Sequence, residues 1–179
     1  MARNIEIKAR IESVATLTEI VKALATQGPT EIAQDDTFFN CSSGRLKLRA
    51  FSNTRGELIF YRRSDEPGPK ESYYLRTPTT EPDLLRQTLA LAYGEAGRVR
   101  KRRTLFLIGR TRVHLDIVES LGHFLELEVV LREGEAAAEG VAEAKEIMKR
   151  LGVEPSQLID RAYVDLGGGK IGSSGATMG

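Results

Sequence analysis

The stretch Asn4-Ile5-Glu6-Ile7-Lys8-Ala9-Arg10-Ile11 decides the fold class. Side chains alternate across an extended chain, so Ile5, Ile7, Ala9 and Ile11 share one face and Asn4, Glu6, Lys8 and Arg10 the other. One such strand is the ordinary mark of an antiparallel sheet with a wet side. The same alternation returns along this chain. Arg45-Leu46-Lys47-Leu48-Arg49 puts three cations on one face, and Phe124-Leu125-Glu126-Leu127-Glu128 puts two carboxylates on one face. Arg112, His114 and Asp116 share another, as do Lys101 and Arg103.

Further strands are expected over 37–41, 57–63 and 72–77, with the charged stretches extending to 45–51, 99–108, 112–118 and 124–132. Ser42-Ser43-Gly44, Asn53-Thr54-Arg55-Gly56 and Pro67-Gly68-Pro69 carry turn chemistry and join them as hairpins. Three helices are expected. Ser13 caps the first, whose Leu17, Ile20, Val21 and Leu24 recur at helical spacing until Gly28-Pro29. Pro82 opens the second, which runs to Gly94, and 135–151 forms the third, ended by Gly152. Residues 1–166 read as one domain and 167–179, rich in Gly and Ser, as a flexible tail. Gly167-Gly168-Gly169-Lys170 fails the phosphate-loop spacing and is followed by Ile171 instead of Ser or Thr.

The chain has 179 residues, with 26 Lys and Arg against 25 Asp and Glu and a formal net charge of +1. Bulk charge therefore gives no drive toward nucleic acid or membranes, and any electrostatic function lies in local arrangement. One cysteine, Cys41, excludes an intramolecular disulfide, and with two histidines argues against a Cys/His zinc site. No apolar run approaches the roughly 18 residues of a membrane helix, and the first residues lack a signal peptide's apolar stretch. A cytoplasmic protein is expected.

Eight strands suffice to close a barrel whose lumen takes side chains or a small ligand. If helices cover the apolar face, the charges point inward. Enclosed charges are costly unless water, opposite charge or a ligand compensates them. Lys and Arg suit an anionic phosphate chain, and clustered carboxylates suit a hard divalent ion bridging it.

Asn4-Ile5-Glu6-Ile7-Lys8 resembles the N-terminal Glu-x-Glu-x-Lys signature of the CYTH superfamily, the triphosphate tunnel metalloenzymes, which include class IV adenylate cyclases and thiamine triphosphatases. Asp36 to Asn40, Arg45 to Arg49, Val99 to Arg103, His114-Leu115-Asp116, Gly122 and Leu125 to Glu128 follow in the family's order. Leu158 to Tyr163 resembles its closing segment. The resemblance implies an α+β fold, an eight-stranded antiparallel β-barrel tunnel with helices packed on the outside, in agreement with the strand count. The resemblance implies that Glu6, Glu126 and Glu128 bind metal, Mg2+ or Mn2+, with Asp116 as a further metal or water partner. It implies that Lys8, Lys47, Arg49, Lys101 and Arg103 bind phosphate, with Arg62 at a family lysine position (Arg63 if the register slips by one), and Arg76 and Arg112 as weaker assignments. Lys8, Asp116 and Glu128 are the expected catalytic residues. Asn4 departs from the signature's first glutamate: its amide oxygen can still ligate a cation but brings no charge, so metal affinity should be weaker.

The function expected is metal-dependent action on a triphosphate such as tripolyphosphate, ATP or thiamine triphosphate, with phosphohydrolysis ahead of a class IV adenylate cyclase reaction. A non-catalytic polyphosphate- or nucleotide-binding module is the third reading. No nucleic-acid or membrane partner is expected, and the protein is expected as a monomer or homodimer. His114 is read as a supporting hydrogen-bonding group, His123 as exposed, and Cys41 as a packing residue. Tyr73, Tyr74 and Phe60 are read as packing residues ahead of base-stacking ones.

Overall fold

A computed structural model of the protein describes residues 2–63 and 68–167. The chain begins with β1 (Ala2–Arg10), α1 (Val14–Leu24), β2 (Gln27–Phe39), β3 (Arg45–Ser52), β4 (Arg55–Arg63) and β5 (Lys70–Thr79). It continues with α2 (Pro82–Tyr93), β6 (Glu95–Ile108), β7 (Thr111–Val118), β8 (Gly122–Val130), α3 (Ala137–Arg150) and α4 (Tyr163–Leu166). The strands close in the order β1-β5-β4-β3-β2-β6-β7-β8, with β8 paired back to β1. Every pairing is antiparallel. Closure leaves no unpaired edge and puts alternate side chains inside and outside.

The apolar face turns outward and is covered by helices. Ile7, Val113, Leu115, Leu125 and Leu127 pack with Val14, Leu17 and Val21 of α1 and Ile147 of α3. Phe39 and Leu48 pack with Leu89 of α2. These helices form for the expected reasons: Ser13 Oγ accepts the Thr16 N–H at the start of α1, and Pro82 occupies the first turn of α2. Gly140 lets α3 lie close to the barrel, since a Cβ there would come within 2.7 Å of Ile5 Cγ1 and 2.6 Å of Leu131 Cδ2.

Two expectations need correction. The first helix ends at Leu24, not at Gly28-Pro29, because Ala25 is already extended and Thr26 donates its N–H to the Leu107 carbonyl. Gly28 and Pro29 lie within β2, which begins ten residues before the expected start and pairs along β6 from Gln27 to Phe39. Residues 64–67, including Pro67, and 168–179, nearly all of the expected tail, lie outside the described residues. No helix among the described residues is long and apolar enough to cross a membrane.

Candidate functional site

Strand parity decides which charges meet. Along β1, Ile5, Ile7 and Ala9 are buried outside the barrel, so Asn4, Glu6 and Lys8 line the tunnel. Across the β1–β8 ladder Glu6 pairs with Glu128 and Lys8 with Glu126. Lys47 and Arg49 of β3, Asp36 of β2, and Lys101 and Arg103 of β6 line the same space, together with Ile59, Tyr61, Tyr74 and Arg76. Arg112, His114 and Asp116 point inward from β7, where His114 pairs with Glu126 and Arg112 with Glu128.

Two buried carboxylates hold the cations in place. Asp36 takes Arg49 in a two-pronged contact, Nε at 2.8 Å and Nη2 at 2.7 Å, and Lys47 Nζ at 3.1 Å. Asp116 takes Arg103 in the same way, both nitrogens at 2.7 Å, with Lys101 Nζ at 3.7 Å. Such paired contacts fix the guanidinium plane as well as its position. Burial alone would raise the pKa of both carboxyls, but the surrounding cations overcome it and hold both well below the usual range. For the lysines burial wins: with the adjacent Arg103 it pushes Lys101 down to about 7, and with Arg49 it pushes Lys47 down to about 8.

The carboxylates of β8 sit beside this layer. Glu126 faces Arg103 Nη2 at 3.4 Å and Lys8 Nζ at 3.6 Å, and Arg112 donates to Glu128 Oε2 at 3.3 Å. Burial opposes ionisation of Glu126, yet Arg103 and Lys8 keep its pKa well below the ordinary value. His114 is held below its ordinary value by burial and Arg103, so its imidazole is neutral near pH 7. Its Nδ1 has no hydrogen-bond partner, and neither does the buried Asn4 Oδ1. Buried polar atoms are normally satisfied, so these two unpartnered atoms, with carboxylates of β8 next to His114, suit an added ligand. The residues present therefore fit a divalent cation.

Of the expected site residues, Glu6, Lys8, Lys47, Arg49, Lys101, Arg103, Arg112, Asp116, Glu126 and Glu128 converge on the tunnel. Arg76 is exposed at its lining, 5.1 Å from the Tyr74 ring centroid. Arg62 lies on the outer face, where its Nε donates to the Ser43 carbonyl at 2.7 Å and its guanidinium lies over Phe60. Its expected place among the phosphate ligands is corrected by parity, since Ile59 and Tyr61 are the β4 residues facing in. The side chain of Arg63 lies outside the described residues. Tyr73 and Phe60 share the outward parity, which leaves Tyr74 as the inward aromatic of the three. His123 is half-buried outside the barrel, its Nδ1 accepting the Val14 N–H.

Sequence reasoning assigned no role to two residues of the site. Asp36 was signalled by its family segment, and the cations alternating along β3 could have pointed to a carboxylate partner. Tyr163 of α4 enters the tunnel, donating its hydroxyl to Asp116 Oδ2 at 2.8 Å, with its ring centroid 4.1 Å from Lys8 Nζ and 4.9 Å from Lys101 Nζ. Its segment too resembles the family's, but its place in the tunnel is set by long-range packing.

The CYTH domain family model matches residues 2–163. A Methanocaldococcus jannaschii protein provisionally named an adenylate cyclase, MJ0240, is 25% identical over 177 residues, covering 92% of this chain and 98% of that one. The solved structure of the PH1012 protein from Pyrococcus horikoshii superposes with a TM-score of 0.80 at 23% identity, covering 91% and 98% of the two chains. A Hippeastrum protein, provisionally named an adenylyl cyclase and described as having a dominant triphosphatase activity, superposes at 0.62 with 14% identity over 93% of each chain.

Proposed function

The chain belongs to the CYTH domain family, and from that premise we propose that its tunnel binds a triphosphate with Mg2+ or Mn2+ and hydrolyses it. The observation that carries this reading is the convergence of Lys8, Lys47, Arg49, Lys101 and Arg103 from three strands beside Glu6, Glu126 and Glu128. Several phosphates carried on one small anion match a lining with this many cations.

In this reading Arg49 and Arg103, oriented by Asp36 and Asp116, donate paired hydrogen bonds to phosphate oxygens. Lys8, Lys47 and Lys101 supply the remaining positive charge. Asp116, already engaged by Arg103, Lys101 and Tyr163, positions those cations. Glu6, Glu126 and Glu128 would hold the cation, which when bound neutralises phosphate charge and helps supply a nucleophilic water. Glu128 orients the attacking water and accepts its proton as the new P–O bond forms at the terminal phosphorus. The bond to the leaving phosphate breaks, and Lys8 with the arginines stabilises the charge that develops there.

A second reading is cyclisation of ATP, in which the ribose 3′-hydroxyl attacks the α-phosphorus and pyrophosphate leaves. The name carried by the M. jannaschii relative favours it, and Tyr61 and Tyr74 in the lining offer rings for a base. Product analysis separates the two. Purified protein is incubated with tripolyphosphate, ATP or thiamine triphosphate, with Mg2+ or Mn2+ and with chelator, and orthophosphate and cyclic AMP are quantified separately. Metal-dependent orthophosphate without cyclic AMP is expected, with Lys8→Ala and Glu128→Gln each lowering turnover by at least about a hundredfold. Cyclic AMP with pyrophosphate would establish the cyclase, and tight binding without either product a non-catalytic module.

A further inference from the structure

The β8 carboxylates stand between cations and His114 of β7, and Glu126 Oε1 also lies 3.4 Å from Arg103 Nη2. Glu126 Oε2 faces Lys8 and Glu128 Oε2 faces Arg112, while both Oε1 atoms lie toward His114. His114 Nδ1 is 3.6 Å from Glu126 Oε1 and 4.0 Å from Glu128 Oε1. Both distances are too long for hydrogen bonds. One donor atom from each of the three residues lies within 4.8 Å of the others. At metal–ligand distances of about 2.1 Å, donors on one octahedral ion are roughly 3.0 Å apart when adjacent and 4.2 Å when opposite. The observed spacing is thus near what a shared ion requires, with small side-chain rotations closing the rest. His114 is 4% exposed and its Nδ1 has no hydrogen-bond partner.

We propose that His114 Nδ1 is a direct ligand to the tunnel cation alongside Glu126 and Glu128, and that this nitrogen makes the site favour first-row transition-metal dications over Mg2+. The inference deepens the metal-dependent reading above and rests on it. Its chemical basis is the donor set. Mg2+ demands oxygen ligands and keeps its water, whereas imidazole nitrogen is well suited to first-row ions. The neutral Asn4, standing where the family signature has a carboxylate, removes the charge that a hard ion would most prefer. A nitrogen donor at His114 offsets that loss for ions that accept it.

The test uses the full chain loaded with Mn2+, alone and with tripolyphosphate, and pulsed electron paramagnetic resonance to detect nitrogen coupled to the metal. A 14N coupling is expected that changes to a 15N coupling when histidine alone is 15N-labelled. The chain has two histidines, and the signal should persist in His123→Gln, because that side chain lies outside the barrel. In competition titrations His114→Gln should lower Mn2+ affinity by about tenfold or more, since losing a direct ligand costs at least what losing its supporting partner does. Mg2+ affinity should change much less. Saturable Mn2+ binding with no nitrogen coupling would overturn ligation by His114 and leave the metal tunnel standing. Equal loss of Mg2+ and Mn2+ affinity would overturn the selectivity. Failure of Mn2+ to bind even with tripolyphosphate would overturn both this inference and the metal-dependent reading. Labelling requires no substitution, so the ligation test survives if His114→Gln fails to fold.

Discussion

Strands β8 and β5 both flank β1 and both line the tunnel, but what lies behind them differs. The outward residues of β8, Leu125, Leu127 and Val129, are completely buried beneath the helical layer. Those of β5 meet solvent, with Tyr73 36% and Leu75 55% exposed. The inner faces differ accordingly. β8 carries Glu126 and Glu128, both buried, whereas β5 carries Ser72, the half-exposed Tyr74 and the exposed Arg76. Groups that must share one ion need a backbone fixed from both sides, and close-packed interiors supply that rigidity. A strand with little apolar burial behind it opens locally at lower cost. β8 therefore suits a fixed layer of carboxylates, and β5 suits a part of the lining that can vary.

The largest effect should come from weakening the rigid wall. Leu127→Ala removes a completely buried side chain facing α1 and α3 and is expected to cost about 2–5 kcal/mol in urea unfolding. A loss below about 1 kcal/mol would show that the space collapses freely, and the contrast with β5 would fail.

An intermediate effect is expected on β3, where Lys47 is half-buried and its pKa is lowered to about 8 by burial and Arg49. A phosphate oxygen beside the ammonium raises that pKa, so binding takes up a proton once the free protein has lost it. Affinity for tripolyphosphate should begin to fall above about pH 7, where Lys101 loses its proton, and fall by up to about a further tenfold per pH unit above about pH 8, where Lys47 does. Lys47→Arg keeps its charge throughout this range and should remove the break near pH 8, leaving that of Lys101. Asp36→Asn takes away the carboxylate that supports the ammonium and should move the break to lower pH. Calorimetric titrations across the range check all three, and the arginine variant accounts for the ligand's own ionisation. Superimposable wild-type and Lys47→Arg profiles would take Lys47 out of the binding layer.

The walls also differ in how plainly their sequences announce them. β1, β7 and β8 alternate strictly because one face packs on helices and the other meets charge, so both the strands and their inward residues are legible. β4 is harder: Leu58-Ile59-Phe60-Tyr61 is apolar on both faces, period two vanishes, and Arg62 is assigned inward when it points out. The first half of β2, from Gln27 to Glu31, is exposed and carries no apolar face, which hid it behind the preceding helix pattern. There the ladder with β6 determines the strand, and pairing partners are invisible to a local reading. The role of Asp36 depends on its register opposite Arg49 in the β2–β3 ladder, and that of Tyr163 on the docking of α4, and neither follows from a spacing rule.

The smallest effect should come from β5 itself. Leu75 pairs with Phe60 of β4 on the outer face, and more than half of its surface meets solvent. Leu75→Ala therefore leaves no enclosed cavity, and unfolding stability should stay within about 0.5 kcal/mol of the parent. The value matters because it tests whether that face is bare in solution. A cost above about 1.5 kcal/mol that grows with protein concentration would mean that another copy of the chain covers β5. The barrel would then be clamped on both sides there too, and Tyr74 and Arg76 would be held as firmly as the carboxylates of β8.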